Sequence, residues 1–181
     1  MTQFTSHQAV ATEFIPAPRP SVLKRVFAFP NPVNDHAARF TAGIVVVLAL
    51  VALVGQLPWL VGVVAIGFVL RLAFGPRISP AALLSVNVLA PLVGEPKLVP
   101  GPPKRFAQGI GAVLSGAAFI LLVSGGSLPG WTLMVLLVVA ASLEAFIGLC
   151  LGCAAFGFLM RRGIIPAGIC EECANVGVAR N

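Results

Sequence analysis

Residues 40–70 read FTAGIVVVLALVALVGQLPWLVGVVAIGFVL, 31 positions without a charge. As one helix this run would be ~46 Å long. That is well beyond a hydrocarbon core of ~30 Å. Its middle carries Gly55-Gln56-Leu57-Pro58, where the proline and the residue before it disfavour continuous helix. The run therefore divides into a hairpin, with a first span over about Ala38–Gln56 and a second over about Pro58–Phe74.

The whole chain has the composition this implies. Of 181 residues, 58% are hydrophobic and only 10% charged, and the mean hydropathy is +0.99. A soluble domain carries about 25% charged residues. So few charges cannot coat a globule, so lipid must solvate much of the surface. The net charge of +6 does not point to nucleic acid. The basic residues border the apolar runs, as topogenic charges do, rather than gathering on a soluble face.

A second hairpin follows the first, with a third span over about Arg105–Ser124, a turn GGSLPG, and a fourth span over about Trp131–Met160. Each turn contains Leu-Pro and then a tryptophan, Trp59 or Trp131. Tryptophan favours the membrane–water interface, so both turns are expected at one level. Lysine and arginine fall in the amino-terminal tail (Arg19, Lys24, Arg25, Arg39), in the connector at 76–104 (Arg77, Lys97, Lys104) with Arg105 just beyond, and in the carboxyl tail (Arg161, Arg162, Arg180). The hairpin turns have none. The positive-inside rule then puts both termini and the connector in the cytoplasm.

The expected architecture is an all-α integral membrane bundle of four transmembrane helices. Residues 1–37 form a cytoplasmic, largely disordered tail, 38–160 the membrane domain, and 161–181 a cytoplasmic cysteine-containing tail. Residues Val22–Phe29 could lie in the headgroup region. Ser79-Pro80 starts and Pro91 ends a short interfacial helix in the connector. Asp35 is the expected cap of the first span, and His36 reads as an interfacial residue rather than a ligand. Small residues spaced four apart (Gly111 with Ser115, Ala112 with Gly116, Gly148 with Gly152) let backbones approach closely, as bundle packing or as a dimer face.

Two charges fall inside the spans. Glu144 lies 13 residues after Trp131 and Arg71 lies 12 after Trp59, which is ~20 Å and ~18 Å along their helices. At matching depth they are expected to form a structural ion pair between the second and fourth spans. The alternative is a role for Glu144 in proton or cation movement, although the spans offer few further polar partners.

The strings VNDHAARFTAG, GPRISP, PPKRFAQGIGAVLS and SLEAFIGLCLGC together resemble a bacterial membrane family, domain of unknown function 4395, over roughly Asn31–Arg161. The most specific element is a glutamate followed by G-x-C-x-G-C, here Glu144, Gly148, Cys150, Gly152 and Cys153. The resemblance implies four spans in a bacterial cytoplasmic (inner) membrane and no assigned reaction. It also implies company with thioredoxin-like or rhodanese-like partners, and so sulfur or thiol chemistry.

The cysteines number four, Cys150, Cys153, Cys170 and Cys173, spaced C-x2-C-x16-C-x2-C. Such spacing suits a four-thiolate zinc site, which would staple the tail to the end of the fourth span. A C-x-x-C pair also exchanges thiols. The strong form of that motif places the pair at a helix amino terminus, whereas an unbroken fourth span puts Cys150 and Cys153 toward its carboxyl end. On such a helix Glu144 sits about 180° from Cys153, out of its reach unless the helix breaks at Gly148 or Gly152. A third reading is that the cysteines are small packing residues. No serine–histidine–acid set or phosphate loop is visible, so an enzyme is not the first expectation. Two functions remain. One is thiol or sulfur handling at the cytoplasmic face with a soluble partner, through Cys150 and Cys153. The other is a non-catalytic subunit of a larger membrane complex, with the cysteines as a zinc clip.

Overall fold

The computed structural model describes residues 31–75 and 79–165. The expectations for residues 1–30, for Arg77, and for Cys170 and Cys173 lie outside the described residues. The described chain is all-α apart from one short strand pairing. Helix α1 runs Asp35–Val54 and α2 runs Pro58–Phe74, separated at the Gly-Gln-Leu turn as the sequence predicts. Helix α3, Pro80–Leu84, continues through a π turn, Ser85–Leu89, and a 3-10 turn, Ala90–Leu92. Helix α4 covers Gly101–Val123, one turn earlier than expected, because Pro102 and Pro103 fit a first turn that needs no N–H donors. Helix α5, Ser127–Ser142, extends through a π turn at Leu143–Ile147. Helix α6 is Leu151–Arg161.

Among the described residues three helices are long and apolar enough to cross a membrane: Asp35–Val54, Gly101–Val123 and Ser127–Ile147. Helix α2 has 17 residues, about 25 Å, at the short end of what spans. Val47, Val51, Val63, Ile66, Val113, Ile120, Leu136 and Val139 all point outward and exposed. In water such a surface would aggregate, whereas in lipid it is solvated. The interior is built of small and branched side chains, among them Ala49, Ala52, Val61, Val64, Ala118 and Met134. Trp59 is exposed as an interfacial residue would be, but Trp131 packs partly buried against this core.

The amino ends of α1 and α4 meet the carboxyl ends of α2 and α5 at one end of the bundle. Strand β1, Val33–Asn34, pairs antiparallel with β2, Leu98–Val99, and ties the connector to the start of α1. The cap of α1 is Asn34, whose Oδ1 accepts from His36 N–H at 3.0 Å. Asp35, expected there, is instead the first helical residue and spends its carboxylate elsewhere. Its Oδ1 lies 3.0 Å from Lys104 Nζ, and Glu144 Oε1 lies 2.8 Å from the same nitrogen. Lys104 thus joins α1, α4 and the π turn after α5.

The hydrogen-bonded partner of Glu144 is Lys104, while the expected partner Arg71 is close enough to feel the charge of Glu144. Matching depth along two helices fixes height but not the direction a side chain faces. Because α4 starts early, Lys104 lies within the bundle rather than in the connector. Arg71 lines the same cavity as Glu144 and places its guanidinium carbon 4.4 Å from the centre of the Phe68 ring.

With side-chain exposures of 8% for Lys104, 11% for Asp35 and 17% for Glu144, this is a buried network and not a surface pair. Removing one member of such a network strands the others, at about 3–5 kcal/mol. Lys104→Met is therefore expected to lower the melting temperature of the detergent-solubilised protein sharply. Combining it with Asp35→Asn and Glu144→Gln should restore most of the loss. Melting curves measured by tryptophan fluorescence check this, and a single variant as stable as wild type would refute it.

Candidate functional site

The expected fourth span, Trp131–Met160, is not one helix. It begins at Ser127, runs through the π turn and stops at Gly148, where the backbone takes φ 78°, ψ 12°. That left-handed conformation costs an L residue with a side chain roughly 1–2 kcal/mol, which glycine avoids. Gly148 N–H then bonds Glu144 C=O at 3.1 Å and Leu149 N–H bonds Leu143 C=O at 3.0 Å. Arg39 completes the ending from α1. Its Nη2 donates to Phe146 C=O at 2.9 Å and its Nε to Ala145 C=O at 3.3 Å. A guanidinium at a helix carboxyl terminus also opposes the negative end of the dipole.

The chain restarts at once. Cys150 is the amino-terminal cap of α6, with extended backbone (φ −84°, ψ 101°), and its Sγ accepts from Cys153 N–H at 3.2 Å. The pair thus sits at a helix amino terminus, contrary to the placement that an unbroken fourth span implies. Helix α6 leans on the first turns of α4. The Phe156 ring meets that of Phe106 in a tilted contact, 5.6 Å between centres, and a Cβ at Gly152 would come within 2.5 Å of Ala107 Cα. At 11 residues α6 is too short to cross a bilayer. Both cysteines thus follow the helical stretch Ser127–Ile147, which is long and apolar enough to cross a membrane.

Position makes the two thiols unequal. The hydrogen bond from the Cys153 thiol holds Cys150 below the ordinary thiol range, against burial and the negative charge of Glu144, with a smaller contribution from the positive charge of Lys104. The same contact pushes Cys153 up, with burial acting in the same direction. Glu144 is close enough to act on both thiols electrostatically, which the break at Gly148 makes possible. Both cysteines are free and partly exposed. They open on a cavity of about 400 Å³ that also includes Asp35, Lys97 and Lys104. Cys150 forms part of the wall of a second, inner cavity as well.

Of the residues singled out in the sequence, the structure brings Cys150, Cys153 and Glu144 to one place, with Arg71 along the inner cavity. Among the described residues no three histidine, cysteine, aspartate or glutamate side chains gather to hold a metal ion. Cys170 and Cys173, the other half of the expected zinc clip, lie outside the described residues. Sequence reasoning did not find Arg39 or Asp35 as parts of the site, and it placed Lys104 in a loop. The available signal was the proline pair before Lys104, which suits a helix start and brings that lysine inside the first turn.

These features fall within one family pattern. The sequence pattern of the family described as Domain of unknown function (DUF4395) matches residues 33–161. The chain belongs to that family. No curated protein and no solved structure matches it.

The asymmetry of the thiols has a direct readout. Iodoacetamide is expected to label Cys150 at lower pH than an ordinary free cysteine, and to label Cys153 only at higher pH. Gly148→Ala should slow the labelling of Cys150 by weakening the break that makes it a cap. Peptide mass spectrometry across a pH series checks both, and equal labelling of the two cysteines would contradict the assignment.

Proposed function

We infer that the protein is a membrane-anchored thiol–disulfide exchange site. Cys150 is the attacking thiol and Cys153 the resolving one. The observation that carries this reading is the placement of Cys150 as the cap of α6, with Cys153 N–H on its sulfur. A thiolate is favoured at a helix amino terminus, where N–H groups and the dipole oppose its charge. This also weighs against the packing reading, since a cysteine that only fills space needs no cap position.

In the exchange, Cys150 sulfur attacks one sulfur of a partner's disulfide, forming a mixed disulfide and releasing the other partner sulfur as a thiolate. Cys153 then gives up its proton and attacks Cys150 sulfur, releasing the partner as a dithiol and leaving the Cys150–Cys153 disulfide. Two electrons pass to the partner, and the steps run equally in reverse. The partner class is a soluble protein with its own exposed cysteine pair, of the thioredoxin-like or rhodanese-like kind. The lysines and arginines cluster at this end of the chain's hairpins, which supports a site facing the cytoplasm of a bacterial inner membrane.

Cys153→Ser should trap the exchange half-way. Incubated with an oxidised thioredoxin-type protein, that variant is expected to form a mixed disulfide through Cys150, visible on a non-reducing gel and lost with dithiothreitol. Cys150→Ser should form none, or at least tenfold less. Metal analysis of the purified full chain belongs beside this test. One zinc per chain with all four thiols unreactive would replace exchange by the zinc clip.

A further inference from the structure

Behind the cysteine pair, the inner cavity of about 350 Å³ reaches between α1, α2, α4 and the end of α5. Its wall is apolar except where Thr41, Arg71, Gln108 and Glu144 meet. Two polar atoms there are buried with no hydrogen-bond partner, Arg71 Nε and Gln108 Oε1. Arg71 as a whole is only 5% exposed. A buried polar atom without a partner costs about 1–3 kcal/mol, and the two residues that carry this donor and acceptor line both this cavity and a neighbouring one of about 230 Å³.

The chemistry of the wall restricts what can fill it. An anion would meet Glu144, and a cation would meet Arg71. A neutral and mostly apolar molecule fits, provided it offers a carbonyl oxygen to Arg71 and, in its reduced form, a hydroxyl to Gln108. The volume lies within the ~300–1,000 Å³ range of small-molecule sites. The remaining constraint comes from the sulfur. Cys150 belongs to the walls of both cavities, so a molecule in the inner chamber lies next to the attacking thiol while the outer cavity receives a soluble partner.

We propose that the inner cavity binds the head group of a membrane quinone and that this quinone accepts the electrons of the Cys150–Cys153 dithiol. The proposal rests on the thiol-exchange reading and extends it. The two S–H bonds break and one S–S bond forms, while two electrons and two protons pass to the quinone's two oxygens, giving the quinol. Arg71 hydrogen-bonds a carbonyl oxygen of the quinone, and Gln108 Oε1 accepts from a hydroxyl of the quinol. The disulfide so formed oxidises the soluble dithiol partner, and electrons flow from that partner through the cysteines into the membrane pool.

The test uses the full chain in lipid nanodiscs, with decylubiquinone and a short-chain naphthoquinone as probes. Binding is read on the Cys150→Ser/Cys153→Ser form, where no electrons move. Reduction is read by quinone absorbance on the dithiol form after removal of reductant. Saturable binding above that of empty nanodiscs is expected, with one quinol formed for every two thiols lost. Gln108→Leu and Arg71→Met should each weaken binding at least tenfold. Since Arg71→Met could fail to fold, Ala155→Leu, which adds bulk to the chamber wall, is a further variant and should also weaken binding.

No binding above empty nanodiscs, or binding unchanged in all three variants, overturns the quinone site. If the dithiol exchanges with a soluble disulfide yet reduces no quinone, the proposal falls and the exchange reading stands. If a probe binds while the cysteines exchange with nothing, the exchange reading falls and quinone reduction with it.

Discussion

A helix that stops leaves its last carbonyls without intrahelical donors, and something else must supply them. The site follows from how this protein meets that constraint after Ile147. Arg39 reaches across from α1 to the carbonyls of Ala145 and Phe146. Gly148 turns the backbone into a conformation in which Leu149 N–H returns to Leu143 C=O. With the old helix closed, a new one opens two residues later, and the residue at its cap is a cysteine. Without the break Cys150 would be one more apolar position on a long helix.

The ionic network does the complementary work of holding the broken end in place. Lys104 pairs with Glu144 from the π turn and Asp35 from α1, so the segment before the break is fixed to two other helices. Buried ion pairs add little net stability, but they penalise arrangements that leave a charge alone. Here the penalised arrangement is one in which the π turn swings away from α1 and α4, taking the Arg39 contacts with it. A protein with few charges has placed four of them, Arg39 included, at this one junction, beside the sulfur that lines two cavities.

Much of the fold was legible because lipid makes simple demands on sequence. Charge-free runs mark spans, Pro58 marks the first turn, and the basic residues mark one end. The sequence offered Gly148 or Gly152 as a place to break but did not decide it, because Ala145-Phe146-Ile147-Gly148-Leu149 contains no proline and a lone glycine does not oblige a helix to end. What ends it is a donor 106 positions earlier in the chain, Arg39. The partner of Glu144 was missed for a related reason. Tryptophan depth gave Arg71 and Glu144 the same height, but the sequence says nothing of which way each faces. The cap of α1 was misplaced by one residue, since Asn34 and Asp35 both suit the role and only the position of Lys104 decides between them.

The central claim is that Cys150 and Cys153 act as one redox couple at the start of α6. It is tested most directly by a redox titration of the full chain in nanodiscs, with thiols trapped at each potential and counted by peptide mass spectrometry. The account predicts that both cysteines disappear together in a single two-electron transition, with a midpoint between about −120 and −270 mV, where catalytic C-x-x-C pairs lie. Two thiols that persist under the most oxidising buffer, or that are lost independently of each other, would contradict it.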